Sequence, residues 1–290
     1  MQIKKAVIPA AGFGTRFLPF TKASAKELLP IIDRPALDYI VREAIDSGIS
    51  EILIIISPLK EEIKKYFGRN IELEEFLTER KNFEALELIK PYEGINIEYV
   101  IQYEQLGLGH AILHAKEFTK DEPFAVLLGD DIFYSDTKPA TKELIEVFNK
   151  YDGHILATMT VALENTNRYG ICMPKPNQKG PVFELLSIVE KPDPSEAPSL
   201  TATNGRYILK PSIYKYLEVQ EKGAGGEIQL TDAILNSMEE EKVFSYDVKA
   251  KRYDVGSKEG YVHATIDFAL SREDLREHIL KIIKELNTLL

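Results

Sequence analysis

The stretch Lys5–Pro30, KAVIPAAGFGTRFLPFTKASAKELLP, constrains the chain more than any other. Ala6, Val7 and Ile8 form a short apolar run of the kind found in buried strands. The chain then breaks into Ala10-Ala11-Gly12-Phe13-Gly14-Thr15-Arg16. Small residues after a strand let backbone N–H groups approach a ligand, and glycine removes the Cβ that would block them. Arg16, Lys22 and Lys26 follow, so the same loop delivers cations. A glycine turn feeding a cation cluster fits an anionic ligand, most directly a nucleoside triphosphate. Two common phosphate motifs are excluded. A P-loop needs Gly-Lys-Ser/Thr four residues after its first glycine, and a dinucleotide fingerprint needs glycine where Phe17 stands.

At 290 residues, 44% of them hydrophobic, the chain has room for one large α/β domain or two small ones. Its net charge is −10, from 46 acidic and 36 basic residues, which argues against a nucleic-acid partner because displacing counterions needs a basic face. A few local cations still suffice for a nucleotide. The single cysteine, Cys172, excludes an internal disulfide and fits a reducing compartment. Lys4 and Lys5 lead into a short strand rather than a signal peptide, and no run of about 20 apolar residues spans a bilayer. A cytoplasmic protein with no membrane association is expected.

Along the chain, 35–48 has helical spacing ending at Gly48, and Ile52–Ile56 is a continuous apolar strand suited to a parallel sheet covered on both faces. Lys60–Phe67 reads as helix and 71–90 as a charged, solvated helical excursion. Ile95–Gln102 reads as strand, and Gln105-Leu106-Gly107-Leu108-Gly109-His110-Ala111 opens a helix running to Phe118. Phe124–Leu128 is a buried strand with Gly129-Asp130-Asp131 at its carboxyl end, where open α/β sheets bind ligands. A helix over 138–150 and a strand over 155–163 follow. Strands over 168–191 and 200–210, joined by Pro-rich turns, then suggest a second lobe continuous with the sheet. Helix is expected at 211–219, a glycine turn at 223–226 with Thr231 capping the next helix, and a strand at 243–248. The segment 258–290 reads as mostly helix, with Leu275, Ile279, Ile282, Ile283 and Leu286 as an apolar stripe facing the body or a second subunit. Packing on the body is the more frequent outcome for such a stripe. The fold expected is α/β, a Rossmann-like, mixed but mostly parallel sheet between helices, with a smaller β-rich lobe and a helical C-terminus. One domain is expected over 1–290: a nucleotide-binding half over about 1–165, the lobe over about 166–256 and C-terminal helices over about 257–290.

Asp130 and Asp131 at a strand end suit a hard cation such as Mg2+, which takes one or two carboxylates plus phosphate oxygens. Asp254, in Arg252-Tyr253-Asp254-Val255-Gly256, is a further candidate, and a turn role remains open for each. Glu190-Lys191 can offer a carboxylate to sugar hydroxyls and an ammonium to a phosphate, although on local grounds alone a solvated Glu-Lys pair at a strand end is the more frequent outcome. The five histidines form no HExxH pattern.

The first loop, together with QLGLGHA, FAVLLGDDIF, NRYGI, VEKP, GRYIL, GAGGEIQLTDAI and KRYDVG, resembles the sugar-1-phosphate nucleotidylyltransferases, specifically the bacterial UTP–glucose-1-phosphate uridylyltransferases. The resemblance spans essentially the whole chain. It implies that Ala10, Ala11 and Gly12 hold the nucleotide through backbone donors, with Gly14, Thr15 and Glu27 in the same binding set. Gln102 and Gly107 would read the uracil edge, and Arg16 and Lys26 would contact the triphosphate. Asp130 and Asp254 would hold Mg2+, and Asp131 would belong to the substrate-binding set. Gly170, Glu190 and Gly205 would hold the sugar and Lys191 its phosphate. UTP and glucose 1-phosphate are the implied substrates, direct in-line attack the implied mechanism, and a homodimer or homotetramer the implied assembly. A thymidylyltransferase, another hexose-1-phosphate enzyme and a silent sugar-nucleotide sensor are the alternatives. The chain departs from the family's usual pattern at Ala25 (Pro), Leu28 (Met), Leu106 (Lys) and Asn204 (small or aliphatic).

Overall fold

The first strand, β1 (Lys5–Pro9), lies between two parallel neighbours, β4 (Glu51–Ile56) and β6 (Phe124–Leu127). The computed structural model describes residues 2–288. Between β1 and β4 come the two-residue strands β2 (Pro30–Ile31) and β3 (Arg34–Pro35) and the helix α1 (Ala36–Asp46). After β4 the chain forms α2 (Glu62–Phe67), α3 (Ile71–Glu79), α4 (Phe83–Leu88), β5 (Asn96–Ile101), α5 (Leu108–Leu113) and α6 (Lys116–Thr119). Beyond β6 run β7 (Asp131–Tyr134), α7 (Ala140–Phe148), β8 (His154–Thr160), β9 (Gly170–Pro174), β10 (Val182–Glu190) and β11 (Thr201–Leu209). Helices α8 (Ile213–Leu217) and α9 (Leu230–Ser237), strands β12 (Val243–Asp247) and β13 (Lys251–Asp254), and helices α10 (Lys258–Ser271) and α11 (Glu273–Asn287) complete the chain.

Nine strands form one sheet in the order β5-β4-β1-β6-β11-β8-β12-β10-β9. Only β11 and β10 run against the rest, so the sheet is mixed and mostly parallel, as the sequence predicts. The strands of the Pro-punctuated region, β9 to β11, join this sheet directly. A separate ribbon pairs β7 with β13 and sets Asp131 opposite Asp254.

Period-two alternation sorts the apolar residues between two cores. Ala6, Ile8, Ile52 and Ile54 face the layer of α1, α7 and α10, against Leu37, Ile40, Leu144 and Phe268. Val7, Leu53, Ile55 and Val126 face α5, α8 and α9, against Ile112, Ile213 and Ile234.

Several local expectations are corrected. The excursion over 71–90 is two helices, because Asn70 and Asn82 each cap a new start by accepting from Leu73 N–H and Ala85 N–H. The helix expected to reach Phe118 breaks between α5 and α6 at His114–Ala115. The strand expected to Leu163 ends at Thr160, and a 3-10 stretch covers Leu163–Arg168. Thr231 lies inside α9, whose N-cap is Gln229. The α11 stripe does not pack on the body: Ile282, Ile283 and Leu286 are exposed, and no described residue of that helix is buried. The expectation of helix through residues 289–290 lies outside the described residues.

Candidate active site

Two strand ends build the site. Gly129, just past β6, donates its N–H to Pro9 O at 3.3 Å, and a Cβ there would stand 2.7 Å from that oxygen. Glycine therefore lets the Asp130 loop lie against the Ala10–Gly12 loop that follows β1. Two adjoining cavities open here, one of about 360 Å³ and one of about 470 Å³. They have Leu108, Leu128, Asp130 and Glu227 in common, so Asp130 stands on the wall between them.

The smaller cavity is lined by Ala10, Ala11, Gly12, Lys26, Glu27, Gln102 and Gly107 of the expected nucleotide set. Ala10 is not a free donor, which corrects one expectation: its N–H is spent on Ile55 O at 2.8 Å and its carbonyl accepts Lys60 Nζ at 2.7 Å. The N–H groups of Ala11 and Gly12 make no hydrogen bond among the described residues and remain for a ligand. Gly14 and Thr15 line neither cavity. Gly14 sits in the left-handed region at φ +67° and accepts the Thr21 hydroxyl at 2.9 Å, while Thr15 opens a short 3-10 turn. Gln102 is buried, with Nε2 2.9 Å from His110 Nδ1. Gly107, at φ +110°, lies so close to the chain at Ile228 that a Cβ would reach 2.7 Å from its carbonyl oxygen. That approach locks the Gln105–Gly109 loop to the start of α9 through Ile228 N–H to Leu106 O, 2.7 Å, and Gly109 N–H to Ile228 O, 2.8 Å.

Lys26 Nζ reaches Asp130 Oδ2 at 2.5 Å. Burial opposes both charges, but each is held by the other: Asp130 and Glu27 raise the Lys26 ammonium above its usual range, and Lys26, Arg252 and Arg16 hold the Asp130 carboxyl below its own. Glu27 is 2% exposed and is bound by Lys60 at 2.7 Å, and burial pushes its carboxyl up against that ammonium. Glu27 thus braces the loop from below. Ala25 N–H donates to Glu62 Oε1 at 2.7 Å, a bond that the family's usual proline cannot make.

The larger cavity gathers Asp131, Gly170, Glu190, Gly205 and Asp254 from β7, β9, β10, β11 and β13, together with Lys191 just past β10 and Arg16 from the 3-10 turn of the first loop. Glu190 accepts the Thr231 hydroxyl at 2.8 Å and lies 3.2 Å from Lys191 Nζ, which is still half exposed and available to an anion. Gly170 is pressed between Thr231 Cγ2, 2.6 Å from a Cβ there, and Glu190. Gly205 has φ +90°, and a side chain would collide with Asp131 Oδ2. Asp131 is buried beside Arg252 Nη2 at 2.6 Å, and burial lifts its carboxyl to about 7 despite that guanidinium. Asn204 is buried, its amide donating to Thr158 O at 3.1 Å.

Four supports escaped sequence reasoning: Lys60, Arg168 (3.4 Å from Asp254 Oδ2), Arg252, and the buried Arg206–Glu43 pair. Arg206 meets Glu43 at 2.7 Å and also donates to Asp131 O at 2.7 Å, fixing the acidic loop from behind. NRYGI and KRYDVG contain Arg168 and Arg252, but nothing in the sequence pairs them with carboxylates.

The donor set fits a hard cation. A point at the Cβ position of Gly256 lies 2.7 Å from Asp130 Oδ2 and 3.1 Å from Asp254 Oδ1, so the two carboxylates face one space that only glycine leaves open. No cluster of three or more His, Cys, Asp or Glu suited to a metal occurs among the described residues.

Residues 5–270 match the family model described as nucleotidyl transferase. A Staphylococcus saprophyticus protein named UTP–glucose-1-phosphate uridylyltransferase 2 is 49% identical over 287 residues, covering 98% of each chain. A solved structure of UTP-bound UGPase from Acinetobacter baumannii has 36% identity and a TM-score of 0.90, covering 98% of this chain and all of the other. UDP-glucose pyrophosphorylase complexed with UDP-glucose has 38% identity and a TM-score of 0.83, covering 93% of this chain and all of the other.

Proposed function

The chain belongs to the nucleotidyl transferase family, and on that premise we propose that it transfers UMP from UTP to glucose 1-phosphate, giving UDP-glucose and pyrophosphate. The observation that carries this reading is the Asp130 wall between two cavities, one with free backbone donors and a buried Gln102, the other with Glu190, Lys191 and Gly205. A nucleotide in the first and a sugar phosphate in the second meet at Asp130.

A phosphate oxygen of glucose 1-phosphate attacks the α-phosphorus of UTP in line. The bond from that phosphorus to the bridging oxygen breaks, and the pair of electrons leaves with pyrophosphate. Positioning and charge stabilisation supply the catalysis, as in phosphoryl transfer generally. Cys172 is not a nucleophile, since burial pushes its thiol up to about 12. Ala11 and Gly12 donate N–H groups to the triphosphate, Gln102 and the Gly107 loop face the base, and Lys26 and Arg16 offset charge growing toward pyrophosphate. Lys191 steers the sugar phosphate, and Glu190, oriented by Thr231, accepts sugar hydroxyls beside Gly170 and Gly205. Asp130 and Asp254 would hold Mg2+, which when bound neutralises charge on the reacting phosphates.

We take the chain as one nucleotidyltransferase domain whose first half binds nucleotide and whose later strands bind sugar. The exposed stripe of α11 supports assembly into a homodimer or homotetramer. No helix among the described residues is long and apolar enough to cross a membrane, and the lone, buried Cys172 supports a cytoplasmic location. The test is pyrophosphate release with Mg2+ across UTP, dTTP, ATP, CTP and GTP, each with glucose, galactose or N-acetylglucosamine 1-phosphate. UTP with glucose 1-phosphate should dominate. A different best pair would overturn the substrate assignment, and silence from every pair would leave a sugar-nucleotide sensor.

A further inference from the structure

A cavity of about 280 Å³ lies between α1, α2 and the α3–α4 excursion, and shares no lining residue with the reacting cleft. Asp38, 2% exposed, is its anchor. The Asp38 carboxylate accepts the Tyr92 hydroxyl at 2.6 Å, Arg42 Nε at 2.9 Å and Arg34 Nη1 at 3.2 Å. One carboxylate therefore orients two guanidiniums and neutralises one of them. Arg42 meets it through Nε, and its guanidinium carbon lies 5.2 Å from the Tyr92 ring centroid, with no other carboxylate paired to it among the described residues. Lys65 is exposed on the wall and has no ion pair among the described residues. The second acid of the lining, Glu87, is paired with Lys90 at 3.2 Å. Four cations thus line the space against two carboxylates.

Much of the remaining wall is apolar, with Phe67, Leu73, Leu88 and Ile89 beside the polar Asn70. Tyr66 is 40% exposed and Leu88 70%, and α4 buries no residue. A fork of oriented guanidiniums is a phosphate-recognition arrangement, and tyrosine and leucine faces suit a planar ring. The volume falls just short of the roughly 300 Å³ at which sites for drug-sized ligands begin, so the ligand is small.

We propose that this cavity binds a small aromatic phosphate, between phenyl phosphate and a nucleoside monophosphate in size. Its phosphate sits on Arg34, Arg42 and Lys65, and its ring lies against Tyr66 and Leu88. The site is placed to act on the reacting cleft. Lys65 and Tyr66 belong to α2, and the same helix carries Glu62, which holds Ala25 N–H one residue before Lys26. Lys60, on the turn entering α2, holds Ala10 O and Glu27.

The test is calorimetric titration of AMP and phenyl phosphate into the full chain as wild type, Lys65→Glu and Lys26→Ala, with ribose 5-phosphate as the probe lacking a ring. Lys65 lies outside the cleft and is exposed, so its reversal is compatible with the fold. One binding event should survive Lys26→Ala, weaken at least tenfold in Lys65→Glu, and be at least tenfold tighter for AMP than for ribose 5-phosphate. No binding of either aromatic phosphate would overturn the proposal. So would binding that is lost in Lys26→Ala yet kept in Lys65→Glu, which places the ligand in the cleft. Equal affinity for ribose 5-phosphate would overturn the assignment of an aromatic ligand.

Discussion

Lys26 Nζ stands 2.5 Å from Asp130 Oδ2, tying the first glycine loop to the end of β6 at the wall between the two cavities. In the free protein this ammonium is the counterion of the carboxylate that faces Asp254 across Gly256. An incoming triphosphate offers Lys26 a second set of anionic oxygens. Replacing Lys26 by Ala should lower kcat by about 10²–10³-fold, comparable to losing one preorganised electrostatic donor. Steady-state pyrophosphate release checks this, and near-wild-type turnover in a folded variant would remove Lys26 from the mechanism.

Lys60 should matter through position rather than contact. Its side chain and that of Glu27 are both almost wholly buried, so Lys60→Met leaves a carboxylate without its ion-pair partner inside the protein. Denaturant unfolding should show a loss of about 3–5 kcal/mol, as for other broken buried pairs. The double variant Lys60→Met/Glu27→Leu should recover most of that loss. Equal destabilisation of the single and double variants would show that the pair is not what braces the loop.

Gly205→Ala should damage the sugar side selectively. Alanine is strained at φ +90°, and its methyl would displace the Asp131 carboxylate. The KM for glucose 1-phosphate should rise at least about tenfold, by analogy with misplaced positioning groups, while the KM for UTP moves much less. Equal changes in both would indicate collapse of the shared wall instead.

Acid should expose a buried histidine. His154 accepts Lys210 N–H at Nδ1 with 3.1 Å separation, and burial pushes its ring from 6.5 down to about 4. The unfolded chain therefore binds this proton first as pH falls, so the native state loses stability from about pH 6.5 and has lost all of this contribution below about pH 4. The shift corresponds to about 3 kcal/mol. His154→Asn should flatten the stability profile between pH 7 and pH 4, measured by denaturant titration at each pH. An unchanged slope would assign the acid sensitivity to other groups.

Much of the fold was legible because period-two and helical spacing survive in local sequence. Ile52–Ile56 announced a strand covered on both faces, and its residues alternate between two cores. The site was legible where chemistry and backbone geometry share one stretch, as at Gly107, Asp130 and Gly205. It was hidden where the geometry of the candidate site depends on distant pairing. Nothing near Lys60 points to Glu27, and nothing near Arg206 points to Glu43, because those partners meet only through sheet and helix packing. Ala10 misled for a related reason: the hydrogen bond to Ile55 uses the donor that the loop pattern assigned to a ligand. The α11 stripe kept its helical period yet found no partner within the chain, since periodicity reports an apolar face and not what covers it.

Asp130→Asn is the most direct probe of the two-cavity arrangement, read by single-turnover pyrophosphate release from UTP and glucose 1-phosphate with Mg2+. The substitution keeps the size of the side chain and removes the charge that faces both compartments. The rate should fall by at least about 10²-fold while the unfolding midpoint shows the protein still folded. A folded variant that releases pyrophosphate at the wild-type rate would mean that the two substrates do not meet at Asp130.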